Sequence, residues 1–186
     1  VVTNDANAAA QGEMIYGAAK GMKNFIEITL GTGVGSGIVI DGKVVYGHDG
    51  FAGELGHTTS IRRTGRLCNC GKVGCLESYA SAIGVARTAR ELLEMDPKRP
   101  SSLRNMPADD ITSRDVAEAA SKGDALSIEV FNYTGRILGE AFADFVAFSA
   151  PEAIVIFGGL AQAGDLIFKP TIDAMEDNLL SIWKGK

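Results

Sequence analysis

Cysteine is scarce in this chain, with 3 among 186 residues. An odd count excludes a complete set of internal disulfides, and the sequence shows no signal-peptide pattern. A reducing compartment, the cytoplasm, is therefore expected, with the thiols free or bound to metal. No run of basic residues breaks the net charge of -5, which argues against a nucleic-acid surface. No apolar stretch approaches the ~20 residues needed to cross a bilayer, so no membrane is expected as a partner. Neither a Walker A ending nor an internal repeat occurs. The chain also lacks an initiator Met: Val1-Val2-Thr3 reads as the end of a strand and SIWKGK stops without a clear terminal element. A piece of a longer protein is the expectation.

What is present is concentrated. Cys68, Cys70 and Cys75 all fall in CNCGKVGC, and one of the 2 histidines, His57, lies just upstream in GELGH. Three thiolates and an imidazole complete the tetrahedral shell of a structural Zn²⁺ and leave no position for a catalytic water. Gly71 and Gly74 suit a backbone that must wrap a metal within a few residues. Glu54 and Glu77 flank the cluster. Carboxylates and a neutral imidazole are the partners a polyol recruits, and His57 could give one ring nitrogen to the metal and the other to a sugar hydroxyl. His48, in GHDGF, has no such pattern around it and reads as a loop residue.

With 46% hydrophobic residues the chain can bury one substantial core. Its pattern is α/β. ANAAAQGEMIYGAAKG predicts a helix ending near Gly17 or Gly21. FIEITL (25–30) and GIVI (37–40) read as strands, and Asp41-Gly42 as a hairpin turn into KVVYG. After a loop-rich stretch from Gly47 to Gly74, a helix is expected over 77–94, then an exposed polar excursion over 97–110. Thr112 with Asp115 forms a capping box, and Asp124 opens a long helix with a core stripe at Ile128, Phe131, Leu138, Phe142, Phe145 and Phe148 around a gap at Gly135. Ser149-Ala150-Pro151 ends that helix, AIVIF (153–157) is an apolar strand, and Gly158-Gly159 turns into another helix. Helices between strands imply a partly parallel sheet.

Two further motifs could carry chemistry. Gly31-Thr32-Gly33-Val34-Gly35-Ser36-Gly37 exposes backbone N–H groups that can cradle phosphate, yet a strand follows it, so it is no dinucleotide fingerprint. A tight hairpin and a phosphate cradle read it equally well. Asn4-Asp5 stands at a strand-to-helix junction, where a carboxylate faces the ligand crevice of an open α/β sheet. Both residue types are favoured N-caps, and taken alone the cap is the better reading.

NDANAAAQGE, ITLGTGVGSGIVIDGKVVYGHDGFAGELGH, CNCGKVGCLES and IVIFGGL together resemble, in order and spacing, the ROK family of bacterial sugar kinases and related repressors. The resemblance spans nearly the whole chain, and GELGH followed by CxCGxxGCxE is its most specific part. It implies the actin-like, ribonuclease H-like sugar kinase fold, with residues 1–186 forming mainly the larger C-terminal lobe. Asp5 would be the catalytic base, and Asn4, Asp5, Glu54, His57 and Glu77 would contact a hexose. Gly31, Thr32, Gly33 and Gly35 would line the phosphates of ATP with its Mg²⁺, and Gly158 and Gly159 would lie near the adenosine. His57, Cys68, Cys70 and Cys75 would hold zinc.

The sequence departs from the family in having no Asp-x-Gly-Gly-Thr loop of an N-terminal lobe. A fragment, nearly inactive alone, is the expectation. The resemblance implies glucose as substrate and a homodimer formed through this lobe. A sugar-sensing repressor with an upstream helix-turn-helix, or a kinase for an N-acetylhexosamine or fructose, are the alternatives.

Overall fold

The computed structural model describes residues 4–185. The strand end expected at Val1–Thr3 lies outside them. Helix α1 (Asp5–Tyr16) leads into strand β1 (Phe25–Leu30), which hairpins through Gly31–Gly33 into β2 (Val34–Ile40). β2 thus starts earlier than GIVI alone suggests, because Val34, Gly35 and Ser36 continue the antiparallel register opposite Leu30, Thr29 and Ile28. Asp41 and Gly42 both adopt positive φ, 50° and 71°, which closes the tight hairpin into β3 (Lys43–Val44). β4 (Ala153–Phe157) returns parallel to β1, giving the order β3-β2-β1-β4 among the described residues.

The two faces of the sheet are buried differently. Ile26, Ile28, Leu30 and Val34 pack with the helices of the second half in the main core, whereas Phe25 and Val39 meet Ala10 and Ala19 on the α1 side. The helix expected over 77–94 is broken in two, α2 (Glu77–Ala80) and α3 (Ala82–Met95). Ser81 stands extended between them, its hydroxyl capping Gly84 N–H, and the Ala82 N–H donates to Gly31 O at 2.8 Å. A tertiary bond to the hairpin thus outweighs helix continuity.

The excursion over 97–110 is tied down rather than free. Leu103 is buried, Arg104 donates to Leu93 O and Asp96 O, and the Ser102 N–H donates to Asp124. Then come α4 (Ser113–Ser121), opened by the Thr112–Asp115 capping box, and α5 (Ala125–Ser149), capped by Asp124. The gap in the stripe at Gly135 is where α6 (Asp165–Asn178) crosses: a Cβ there would sit 2.6 Å from Pro170 Cγ. Phe148 departs from the expected stripe. It is 88% exposed, although Val146 in the same turn is buried with Leu179 and Ile154.

Candidate functional site

Strand β2 organises the site from both sides. Its glycines face α1: a Cβ on Gly35 would lie 3.2 Å from Ala6 Cβ, and one on Gly37 would lie 2.5 Å from Ala10 Cβ. Side chains there would push α1 away, so the glycines bring the start of that helix, and with it Asn4 and Asp5, down onto the sheet. Asn4 is the N-cap, its Oδ1 accepting the Asn7 N–H at 2.7 Å. Asp5 is exposed and uses Oδ1 to accept the Ala6 N–H at 2.9 Å, which leaves Oδ2 free for a ligand. The capping role and an outward-facing carboxylate therefore coexist, on adjacent residues.

On its other side β2 receives GELGH. The Ser36 hydroxyl donates to Gly53 O and accepts the Leu55 N–H, while Gly56 fits directly against Val34 O. Glu54, exposed, and His57 project from this clamped segment. His57 Nδ1 lies 3.7 Å from Cys68 Sγ, and Cys70 Sγ lies 3.6 Å from Cys75 Sγ. The ligand atoms of His57, Cys68, Cys70 and Cys75 all fall within 4.8 Å of one another. Metal–sulfur bonds of about 2.3 Å in a tetrahedron put neighbouring ligands about 3.8 Å apart, so the four residues form a cluster able to hold a metal ion. Burial and the adjacent thiols push the Cys75 thiol up to about 12, a site where a thiolate needs a cation beside it. Nδ1 is the ring nitrogen that faces the sulfurs, which leaves Nε2 outside the cluster.

Glu77 links cluster and hairpin. Its Oε2 accepts the Val34 N–H at 3.0 Å and would clash with any Cβ on Gly33, while Oε1 lies 3.8 Å from Cys68 Sγ. Gly33 and Gly35 are separated by about 7 Å along the chain. The first turn of α1 and the Glu77 carboxylate consequently sit at neighbouring positions of one hairpin.

Of the residues expected to meet a nucleotide, Gly31, Thr32 and Gly159 share one cavity of about 460 Å³. Gly33 and Gly35 do not line it, for they are packed against Glu77 and Ala6. Gly158 is also a packing residue: at φ 107° it lies against Leu30 O, where a Cβ would come within 2.4 Å. Arg114 and Gln162 line the same cavity without a motif to mark them; Arg114 lies inside the capping box of α4. The lining contains one charged side chain, Arg114, and no carboxylate. Arg66 was missed too. It is buried, donates to Ser78 O and Glu91, and stacks 4.6 Å above the Tyr79 ring, pinning the cysteine loop to α2 and α3. A second cavity, of about 470 Å³ beneath Phe145 and Phe148, touches none of the expected site residues.

The model of the ROK family matches residues 1–182. This chain belongs to the ROK family. It is 46% identical over 170 residues to a glucokinase of Halalkalibacterium halodurans, an alignment covering 91% of the chain and 52% of that protein. The chain thus spans about half the length of the curated relatives it matches. Among solved structures, a ROK family glucokinase from Streptomyces griseus in complex with glucose and AMPPNP superimposes with a TM-score of 0.89 at 36% identity, over 97% of this chain and 59% of that one. A ROK family transcriptional regulator, a homologue of the Escherichia coli MLC protein, superimposes with a TM-score of 0.86 at 33% identity, over 97% of this chain and 44% of the other. The fold is accordingly the α/β, actin-like fold of ROK sugar kinases. Among the described residues no helix is long and apolar enough to cross a membrane.

Proposed function

We propose that the protein is an ATP-dependent hexose kinase acting on glucose, and that residues 1–186 form mainly its larger lobe, through which two copies pair. One observation carries this reading. A single hairpin has the first turn of α1, through Ala6 next to Asp5, and the Glu77 carboxylate against its neighbouring glycines, and it opens at Gly31 and Thr32 into a cavity lined by Arg114 and free of carboxylates. A neutral polyol and a polyanion would thus meet at the same turn.

In this reading Asn4, Glu54, Glu77 and His57 Nε2 hold the sugar hydroxyls. Asp5 Oδ2 accepts the proton of the 6-hydroxyl as that oxygen attacks the γ-phosphoryl group in line. Gly31 and Thr32 offer backbone N–H groups to the phosphates, and Gly159 with Gln162 lies at the adenosine end of the cavity. Bound with ATP, Mg²⁺ would neutralise charge that develops on the phosphates. His57, Cys68, Cys70 and Cys75 would hold structural Zn²⁺, fixing the His57 ring with Nε2 outward.

The test is a coupled ATP-consumption assay of the full-length protein with glucose, fructose, N-acetylglucosamine and N-acetylmannosamine. Glucose-dependent turnover is expected, abolished in Asp5→Asn with sugar binding retained, because the amide keeps the shape but cannot take the proton. Turnover of another hexose alone would change the substrate. No turnover with sugar-dependent binding to an operator would replace the kinase with a repressor.

A further inference from the structure

β1 carries a carboxylate in the middle of an otherwise apolar layer. Glu27 is fully buried, facing α1 on the same side of β1 as Phe25 and Thr29. It stands in register with Gly37 on β2 and Val155 on β4. A Cβ on Gly37 would touch Ala10 Cβ and Ala6 O, so α1 passes directly over this pair. Glu27, the cross-strand partner of Gly37, therefore lies beneath the helix as well.

Its bonding is incomplete in an informative way. Oε1 accepts the Thr29 hydroxyl at 2.8 Å, whereas Oε2 is buried without a partner. Asn7, buried in the early turns of α1, also has an unpartnered Oδ1. An ionised Glu27 has only acceptors and leaves Oε2 buried without a hydrogen; the protonated acid carries an O–H there. The charges that act on Glu27 from α1 are Glu13 and Asp5, both negative, and β2 and β4 offer only Gly37 and Val155 in register. Burial above all, with Glu13 and Asp5 adding to it against the Thr29 hydrogen bond, raises its pKa to about 7.

We propose that Glu27 is a positioning residue for Asp5: a neutral acid that supports the first turn of α1, whose ionisation displaces Asn4 and Asp5 from the sugar. The proposal rests on the reading of Asp5 as the base that meets the sugar. A charge forced into this layer has no cation to pair with, so the layer must hydrate or α1 must shift. α1 is the element packed directly over this pair, so a shift that relieves the charge would fall on it.

The experiment measures kcat/KM for glucose, KM for ATP and the glucose Kd of the full-length protein between pH 6 and 9, in the wild type, Glu27→Gln and Glu27→Ala. In the wild type kcat/KM for glucose should fall above about pH 7, approaching about tenfold per pH unit, the limit for one controlling proton. Glu27→Gln, neutral at every pH and still a donor, should remove that step and leave KM for ATP unchanged. Glu27→Ala, which leaves a hole, should lower kcat/KM at all pH values without the step. A step of unchanged position in Glu27→Gln, or none in the wild type, overturns the proposal while leaving the kinase reading intact. Absence of turnover together with a wild-type glucose Kd that weakens above the same pH, and stays flat in Glu27→Gln, overturns the kinase reading and upholds the role of Glu27. Absence of both turnover and binding overturns both.

Discussion

The Glu77 carboxylate accepts the Val34 N–H at 3.0 Å, joining the residue two places past the last cysteine of the cluster to the first residue of β2. Through this bond the cysteine loop and the glycine hairpin hold each other in place. Glu77→Gln keeps an acceptor for Val34 N–H, whereas Glu77→Ala removes it and leaves a buried donor unpaired. Loss of one such bond costs about 1–3 kcal/mol. Equilibrium urea unfolding should therefore show Glu77→Ala less stable by that amount and Glu77→Gln nearly as stable as wild type. In the full-length protein both should weaken glucose binding at least about tenfold, since Gln spends its one acceptor oxygen on Val34 N–H and offers an NH₂ donor where the carboxylate had a second acceptor for the sugar. Calorimetric titration with glucose measures the second effect.

The glycines of the hairpin separate into two kinds, and substitution should tell them apart. Alanine at 37 would place its Cβ 2.5 Å from Ala10 Cβ and 3.0 Å from Ala6 O, while alanine at 31 meets nothing within 4 Å. Gly37→Ala is expected to lose about 2 kcal/mol through overpacking. Gly31→Ala should change stability by less than about 0.5 kcal/mol, as for an open position, while weakening nucleotide binding at the cavity it lines. Thermal unfolding and ADP titration together check the contrast. Equal destabilisation by both would mean that α1 is not seated as described.

This separation shows where sequence reading ends. A run such as GTGVGSG declares that side chains are unwelcome but not what occupies the space, which here is α1 at Gly35 and Gly37, Glu77 at Gly33 and the open cavity at Gly31. Local signals were legible: the Asp41-Gly42 turn, the Thr112–Asp115 box, the Asp124 cap and the clustered cysteines each depend on residues close in the chain. The break at Ser81 was not, because its cause is Gly31 O, fifty residues upstream. Phe148 has the spacing of a core residue, and spacing cannot reveal that it stays exposed. Glu27 sits in FIEITL as an ordinary alternating polar residue, and only the helix above it makes that position a buried one.

The metal cluster predicts a stoichiometry. Metal analysis of the purified protein should return one zinc per chain, and Cys75→Ser should lose it. Because a metal held by Cys68, Cys70 and Cys75 would fix the His57 ring, that variant should also bind glucose more weakly, by about tenfold or more for a lost ligand. A zinc-free variant with unchanged sugar affinity would show that the cluster does not position His57. Adding a strong chelator to the wild type should lower its melting temperature, since binding free energy of a structural metal is folding free energy.

Asp124 gives the acid limb of the stability profile. It caps α5 through the Ser127 N–H and receives the Ser102 N–H and the hydroxyls of Ser101 and Ser102, so one carboxylate joins the 97–110 excursion to the long helix. Burial opposes its charge, but these hydrogen bonds prevail and hold its pKa near 2, below the ordinary 3.8. A depressed pKa means that the folded chain prefers the ionised form. The stabilisation is therefore complete above about pH 4 and is lost as pH falls toward 2. A shift of this size corresponds to about 2 kcal/mol. Asp124→Asn, which can still cap the helix but carries no charge, should be less stable than wild type by that amount at pH 7. The gap should narrow below pH 4 and close near pH 2. A gap that persisted unchanged to low pH would mean that Asp124 acts through its shape and not its charge.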